Sequence, residues 1–204
     1  MYNTTTQPPE GEWHYEYITP NLVQAEKINR VIFTGKTAYQ SVTIHDTSCF
    51  GRTLVLDNKT QSTELDEFVY HEALVHASMI SHPEPRKVFL AGGGEGATAR
   101  EILSHKVVTQ IVMADIDGEV VDICKKYLPN HHRGAFDDPR LKLHIDDALK
   151  LLENIDDSFD VGILIVVPDS KSLTEYLEHP IHQKAKEEVL LPLVKKIVVY
   201  DFQE

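Results

Sequence analysis

Apolar and polar positions follow one rhythm in the first quarter of the chain and another in the rest. Between Trp13 and Thr63 short stretches alternate with period two. Ala38, Gln40, Val42 and Ile44 interleave with Tyr39, Ser41, Thr43 and His45, the pattern of a strand with one face on a core. Leu54-Val55-Leu56 and Lys59–Thr63 flank Asp57-Asn58. Two turn-forming residues between two short strands predict a hairpin, with Asp-Asn a weaker turn signal than Asn-Gly. The quarter reads as a small antiparallel sheet.

Beyond it the period lengthens. Thr63, with Asp66 three residues on, resembles a capping box. Phe68, Val69, Leu74, Val75 and Met79 follow at helical spacing, until His82-Pro83-Glu84-Pro85 ends the helix. From there strand and helix alternate: strands over 88–91, 111–114, 141–145 and 161–167, helices over 98–104, 119–128 and 148–153. Repeated βα units predict a parallel sheet with helices on both faces. The fold class expected is α/β: a small N-terminal antiparallel β domain followed by a parallel sheet with helices. The expected boundaries are a disordered stretch over 1–11, the β domain over 12–64, the parallel-sheet domain over 65–167 and a tail over 168–204. Within that tail, 184–191 reads as a helix ended by Pro192, and 197–200 as a strand.

Composition narrows the class without choosing a function. The 204 residues are 42% hydrophobic and 25% charged, ordinary for a globular chain. The longest apolar run, 161–167 with Gly162 inside it, is far short of the ~20 residues a bilayer span needs. Residues 1–17 carry neither a basic flank nor an apolar stretch, so a secretory signal is not expected and the cytoplasm is the expected compartment. Two cysteines, Cys49 and Cys124, make no disulfide framework. A net charge of −12 repels nucleic acid and anionic lipid and tolerates cationic ligands. Neither nucleic acid nor membrane is expected as a partner. The eleven histidines fall into no metal-ligand spacing, and no metal site is expected.

The chemistry begins at Val88-Phe89-Leu90-Ala91-Gly92-Gly93-Gly94-Glu95-Gly96-Ala97, a strand passing through four glycines into a helix. Gly92, Gly94 and Ala97 fit G-x-G-x-x-G/A. Such turns also occur as plain structure, but the next two strands add to this one. One ends in Asp115, 19 residues after Gly96, where a carboxylate can take both ribose hydroxyls. The other ends in Asp146-Asp147, where a carboxylate can accept from an adenine amino group. Ligands of open α/β sheets bind at these carboxyl ends. Glu95 is a poor neighbour for a pyrophosphate and a good one for a sulfonium or ammonium, which favours an S-adenosyl ligand over NAD.

Several of these stretches together resemble the spermidine synthase family of aminopropyltransferases. They are Gly51-Arg52-Thr53-Leu54-Val55-Leu56-Asp57, the run Gln61-Ser62-Thr63-Glu64-Leu65-Asp66-Glu67-Phe68-Val69-Tyr70-His71-Glu72, His82-Pro83-x-Pro85-x-Lys87-Val88, and the glycine turn. The spelling GGGEGATARE, with His71 after Tyr70, is more similar to the thermospermine synthase branch. The resemblance covers about residues 12–164 and implies a small N-terminal antiparallel β domain joined to an incomplete Rossmann-like, methyltransferase-type parallel sheet, the nucleoside-binding domain over 65–167, with a divergent tail over 168–204. It implies transfer of an aminopropyl group from decarboxylated S-adenosylmethionine, a co-substrate, to a polyamine nitrogen, with methylthioadenosine as product and no prosthetic group. It implies that Gln40 and Asp115 hold the methylthioadenosine end, with Gly92, Gly94, Gly96 and Asp146 around it, and that Asp147 takes the adenine. Glu95 would face the aminopropyl nitrogen, and Tyr70 and His71 would line the polyamine groove. Glu67 is a weaker candidate, read first as a solvated helix face or cap partner. Association through the N-terminal sheet implies a homodimer, or pairing with a full-length paralogue.

The family's fourth strand is followed by a D-x-x-D-like motif whose first Asp accepts the amine proton. Counting from Phe159 puts that acid at Ile165 and the second at Pro168, with Asp169 one residue late. No likeness is found after Val167, so a truncated or alternatively spliced member, or a foreign tail, is expected. Impaired catalysis follows. The alternatives are a non-catalytic nucleoside-binding or dimerising member and, less favoured, an NAD-linked oxidoreductase.

Overall fold

The computed structural model describes residues 9–155 and 157–165. They form two compact units, one running to Lys36 and from Gln40 to Leu65, the other holding Thr37–Tyr39 and the residues from Asp66 onward.

The first unit is a meander of β1 (Trp13–Thr19), β2 (Leu22–Lys36), β3 (Ser41–Thr47), β4 (Gly51–Leu56) and β5 (Lys59–Thr63), paired antiparallel in sequence order. The predicted hairpin is present: Leu56 pairs with Lys59, and Asp57 and Asn58 have φ of 46° and 64°. Positive φ at both central residues gives a twist that matches the flanking strands. β3 starts at Ser41, so Ala38, Tyr39 and Gln40 precede the strand they were expected to open. Val42 and Ile44 are buried as the alternation predicts, but so is His45, on the opposite face. The cause is curvature. Asn58 Nδ2 and Lys59 Nζ donate to the carbonyls of Tyr15 and Tyr17, and Thr60 N donates to Glu16 Oε2. These bonds draw β5 toward β1, and the His14 and His45 rings meet at 5.3 Å between centroids.

The second unit runs α1 (Glu67–Ile80), β6 (Lys87–Ala91), α2 (Ala97–Ser104), β7 (Gln110–Asp115), α3 (Gly118–Tyr127), α4 (Pro129–His132), a 3₁₀ turn (Ala135–Asp137), β8 (Leu141–Ile145), α5 (Ala148–Asn154) and β9 (Val161–Leu164). The sheet order is β8-β7-β6-β9, all parallel. Val88, Leu90, Ile111, Met113, Val161 and Ile163 bury one face against Leu74, Val75 and Met79 of α1 and Ala99 and Ile102 of α2. Phe89, Ala91, Val112 and Ala114 bury the other against Leu152 of α5 and Phe159. A sheet covered on both faces reads as continuous apolar runs. Among the described residues no helix is long and apolar enough to cross a membrane.

The capping-box expectation is corrected. Thr63 is the last residue of β5, and Asp66 stands at the N-cap of α1 with no side-chain capping bond. Strand β9 closes at Leu164, although Ile165 N still donates to Ala91 O at 3.0 Å. Its predicted continuation through Val167, the predicted helix over 184–191, the strand over 197–200 and Asp169 lie outside the described residues.

Candidate functional site

Three parallel strands end side by side and deliver the candidates. After β6 the backbone turns at once: Gly92 N donates to Ala114 O and Gly96 N to Gly93 O, both at 2.8 Å. Gly96 has φ 80°, and a Cβ there would lie 2.6 Å from both His132 Cβ and Phe136 Cε2, so only glycine lets the 129–138 loop rest on the turn. β7 ends in Asp115, whose Oδ1 accepts from Asp117 N at 3.0 Å. Asp117 is held in turn by the Thr37 hydroxyl at 2.6 Å, and caps α3 by accepting from Val120 N. Burial pushes the Asp115 carboxyl up, and the charges of Glu95 and Asp117 add to that while backbone bonds oppose it. β8 is tied to β7 by Asp146 N donating to Asp115 O. Asp146 is exposed, and Asp147 accepts from Leu149 N and Lys150 N as the cap of α5. Beside these ends an open groove of about 410 Å³ has Tyr39, Ile116, Val121, Leu143 and Ile145 among its lining residues.

Helix α1 brings a second group to the glycine turn. Its buried stripe is Glu67, His71, Leu74, Val75, Ser78 and Met79. Phe68 and Val69, expected on that stripe, are 45% and 61% exposed. The expectation that Glu67 is solvated is therefore wrong: Glu67 is 4% exposed. The Arg100 guanidinium grips both its oxygens at 2.8 and 3.0 Å. His71 Nδ1 meets Glu67 Oε2 at 2.8 Å, and His71 Nε2 meets Glu95 Oε1 at 2.9 Å. Burial alone would raise the Glu67 carboxyl, but the bonds from His71 and Arg100 outweigh it and hold it down to about 2. Burial alone would lower His71, but its bonds to Glu67 and Glu95 push it up to about 9. Glu95 is also held below its ordinary value, the bond from His71 overcoming burial.

The structure thus gathers Glu95, His71, Glu67 and the Tyr70 ring, edge-on to His71 at 5.1 Å, with Asp115 near enough to feel the charge of Glu95. His71 is 2% exposed and enclosed by two carboxylates, whereas Tyr70 is 41% exposed. Gln40 belongs to the first unit, half-buried just ahead of β3. Arg100 was missed from sequence. The usable signal was the i,i+4 spacing of Glu67 and His71, continued four residues on by the apolar Val75. Ile165 packs on the glycine turn: Cβ atoms built on Gly92 and Gly93 would lie 3.4 and 3.2 Å from its side chain.

A parallel sheet that presents a glycine turn and carboxylates at its strand ends, in a chain that opens with an antiparallel meander, defines a methyltransferase-like α/β protein. Residues 67–189 match the spermine/spermidine synthase domain, and residues 12–64 match the spermidine synthase tetramerisation domain. The chain belongs to the spermine/spermidine synthase family. The first match runs beyond Val167, where the likeness was expected to stop. A polyamine aminopropyltransferase of Aeropyrum pernix is 49% identical over 156 residues, 76% of this chain and 50% of that protein. The crystal structure of spermidine synthase from Thermotoga maritima superposes with TM-score 0.73 at 38% identity, covering 80% of this chain and 57% of that one. A spermidine synthase in complex with the transition-state analogue AdoDATO gives TM-score 0.75 at 36% identity, covering 83% and 58%. The chain spans about half the length of the curated relatives it matches.

Proposed function

We propose that this chain acts in polyamine aminopropyl transfer and binds decarboxylated S-adenosylmethionine at the ends of β6, β7 and β8. The observation that carries the reading is the convergence of the glycine turn, Glu95, Asp115 and Asp147 on adjacent strand ends. Likeness to a spermidine synthase holding a transition-state analogue supports it. Asp115 accepts from the ribose hydroxyls and Asp147 from the adenine amino group, with Gly92, Gly94, Gly96 and Asp146 around them; for Gln40, a nucleoside role rests on the family motif alone. Glu95 faces the aminopropyl ammonium, and Tyr70 and His71 serve the polyamine side. In the reaction a polyamine nitrogen attacks the aminopropyl carbon beside the sulfonium. The carbon–sulfur bond breaks with its electron pair going to sulfur, methylthioadenosine leaves, and the amine gives up a proton. No prosthetic group is needed.

The proton is the weak point. A primary amine titrates near ~10, and a placed carboxylate contributes ~10²–10⁴ to such a step. Ile165, against Gly92 and Gly93, offers no acceptor where the family pattern has an acid. That supports the second reading, a nucleoside-binding member with turnover near background. The spelling of the turn and His71 support an acceptor like that of the thermospermine synthase branch. The two markers also touch, His71 lying 2.9 Å from Glu95. Residues 12–64 would serve association with a second copy or a paralogue. Tyr15, Tyr17, Ile18, Leu22 and Val23 are exposed there. The cytoplasm is the compartment in which this chemistry would operate.

Calorimetric titration with methylthioadenosine, NAD and spermidine tests the binding reading. Methylthioadenosine should bind, and binding of NAD in its place would overturn the assignment. Methylthioadenosine formation from decarboxylated S-adenosylmethionine and a polyamine then separates the two readings. An ordinary enzymatic rate removes the second, and a background rate supports it.

A further inference from the structure

The charged stripe of α1 does more than join two helices. Arg100 on α2 is anchored from behind by Glu101 Oε1 at 2.6 Å and by the His131 carbonyl, and its fork fixes both oxygens of Glu67. Glu67 then meets His71 Nδ1 twice, through its carboxylate at 2.8 Å and its backbone carbonyl at 2.7 Å. With Nδ1–H committed to Glu67, the other ring nitrogen presents its N–H to Glu95, because the partner of one imidazole nitrogen sets the state of the other. We infer that Glu67 and Arg100 are positioning residues: acting through His71, they hold Glu95 ionised and in one orientation, so that it prefers a nucleoside bearing an ammonium to the same nucleoside without one. This rests on the proposed pairing of Glu95 with the aminopropyl nitrogen.

The physics favours such a chain over a bare carboxylate. A carboxylate as enclosed as Glu95, its side chain 15% exposed, is driven toward its neutral form by desolvation, and a neutral acid gives up most of its attraction for an ammonium. The His71 side chain, 3% exposed, would on burial alone be uncharged near neutral pH and could turn an acceptor nitrogen to Glu95. Glu67 prevents both. The groups that face this centre are Glu67, His71 and Tyr70 from α1, Glu95 from the turn, and Arg100 from α2. His131 and Asp115 act on or feel the charge of Glu95 from α4 and β7. The two cations of this network, His71 and Arg100, lie between the carboxylates of Glu67, Glu95 and Glu101, so each buried charge has an opposite partner.

A purely structural tie between helices would change stability and leave ligand preference alone. The test compares the affinities of methylthioadenosine and decarboxylated S-adenosylmethionine in the wild-type protein and in Glu67→Gln. The wild type should prefer the amine-bearing ligand. Glu67→Gln should keep its methylthioadenosine affinity and lose about tenfold of that preference, equivalent to ~1.4 kcal/mol. If the wild type binds both ligands equally, the pairing of Glu95 with the amine falls, and the inference with it. If the wild type discriminates and Glu67→Gln discriminates equally, the inference alone falls. If Glu67→Gln does not fold, ¹⁵N spectra of the wild-type histidines decide. His71 should carry protons on both ring nitrogens at pH 7.5, and a neutral His71 there overturns the positioning role.

Discussion

Alanine at Gly96 and at Gly134 should separate two costs that usually come together. The two glycines have nearly the same backbone, φ 80° and ψ 0° at Gly96 and φ 82° and ψ 9° at Gly134. Either substitution places an L side chain in the left-handed region, at ~1–2 kcal/mol. Only one of them meets an obstacle. A Cβ on Gly96 would fall 2.6 Å from His132 Cβ and from Phe136 Cε2, whereas nothing lies within 4 Å of one on Gly134. Relieving the first contact means moving a loop whose Ala135 and Phe136 are already part of the core packing, and overpacking of that kind costs a further ~1–3 kcal/mol. Gly134→Ala should therefore lose ~1–2 kcal/mol and Gly96→Ala ~2–5 kcal/mol, read as unfolding free energies from urea titrations. Phe136→Leu should rescue part of the Gly96→Ala loss and none of the other, a coupling of ~0.5–3 kcal/mol. Equal losses at the two sites, or no rescue, would refute the packing of the loop on the turn.

Methylthioadenosine should raise the melting temperature, and Asp115→Ala should abolish the rise, since hydrogen bonds to a charged acceptor are worth ~1.5–3 kcal/mol each; an equal rise in both proteins removes Asp115 from the ribose. Asp147→Ala should cost ~0.5–2 kcal/mol through the lost cap of α5, while Asp147→Ser should keep the cap and still weaken methylthioadenosine binding, which assigns the carboxylate to the ligand; unchanged affinity in Asp147→Ser withdraws the adenine role. The Glu67–His71 pair should make stability depend on pH at both ends. Glu67 sits at about 2 against an ordinary 4.5, so its contribution is complete above 4.5 and lost as pH falls toward 2. His71 sits at about 9 against 6.5, so its contribution is complete below 6.5 and lost as pH rises through 9. Each limb should be on the order of 3 kcal/mol, the upper measured as the wild-type unfolding free energy minus that of His71→Gln at each pH and the lower as the wild type minus Glu67→Gln, since Arg100 still holds Glu67 down when His71 is replaced; an upper-limb difference that stays flat from pH 6.5 to 9.5 contradicts the charged imidazole.

The alternating strands and helices of the second unit were legible because a parallel sheet covered on both faces needs apolar runs such as Val88–Ala91, separated by amphipathic helices. Observed and expected elements there differ mostly by a residue at each end, as with α2 at Ala97 instead of residue 98. The strand-end acids were legible for the same reason: once the strands are placed, the residues after them are placed. Hydropathy misled at α1. Phe68 and Val69 looked like the buried face, yet the helix turns Glu67 and His71 inward, because four partnered charged groups can occupy an interior that one cannot. No count of apolar residues reveals partners 33 positions away, as Arg100 is from Glu67. His45 was missed for a different reason: period-two alternation assumes a flat sheet with one wet face, and the bonds from β5 to β1 curl this one.

The strand order also sets a timetable for synthesis. β6 lies between β7 and β9, and its Val88 pairs with Val161, a residue that the ribosome adds 73 positions later. At ~5–20 residues per second that is about 4–15 s. For that interval one edge of β6 has no partner, and Phe89 has no Phe159 to pack against. The backbone amides of Arg86 and Lys87 also wait for the Asp160 carboxylate that accepts from both at 3.0 Å. The nascent chain therefore passes through a stage in which its glycine turn is made but the strand leading into it is open to the wrong neighbour. Slower translation downstream of residue 91 would lengthen that exposure, and faster translation would shorten it.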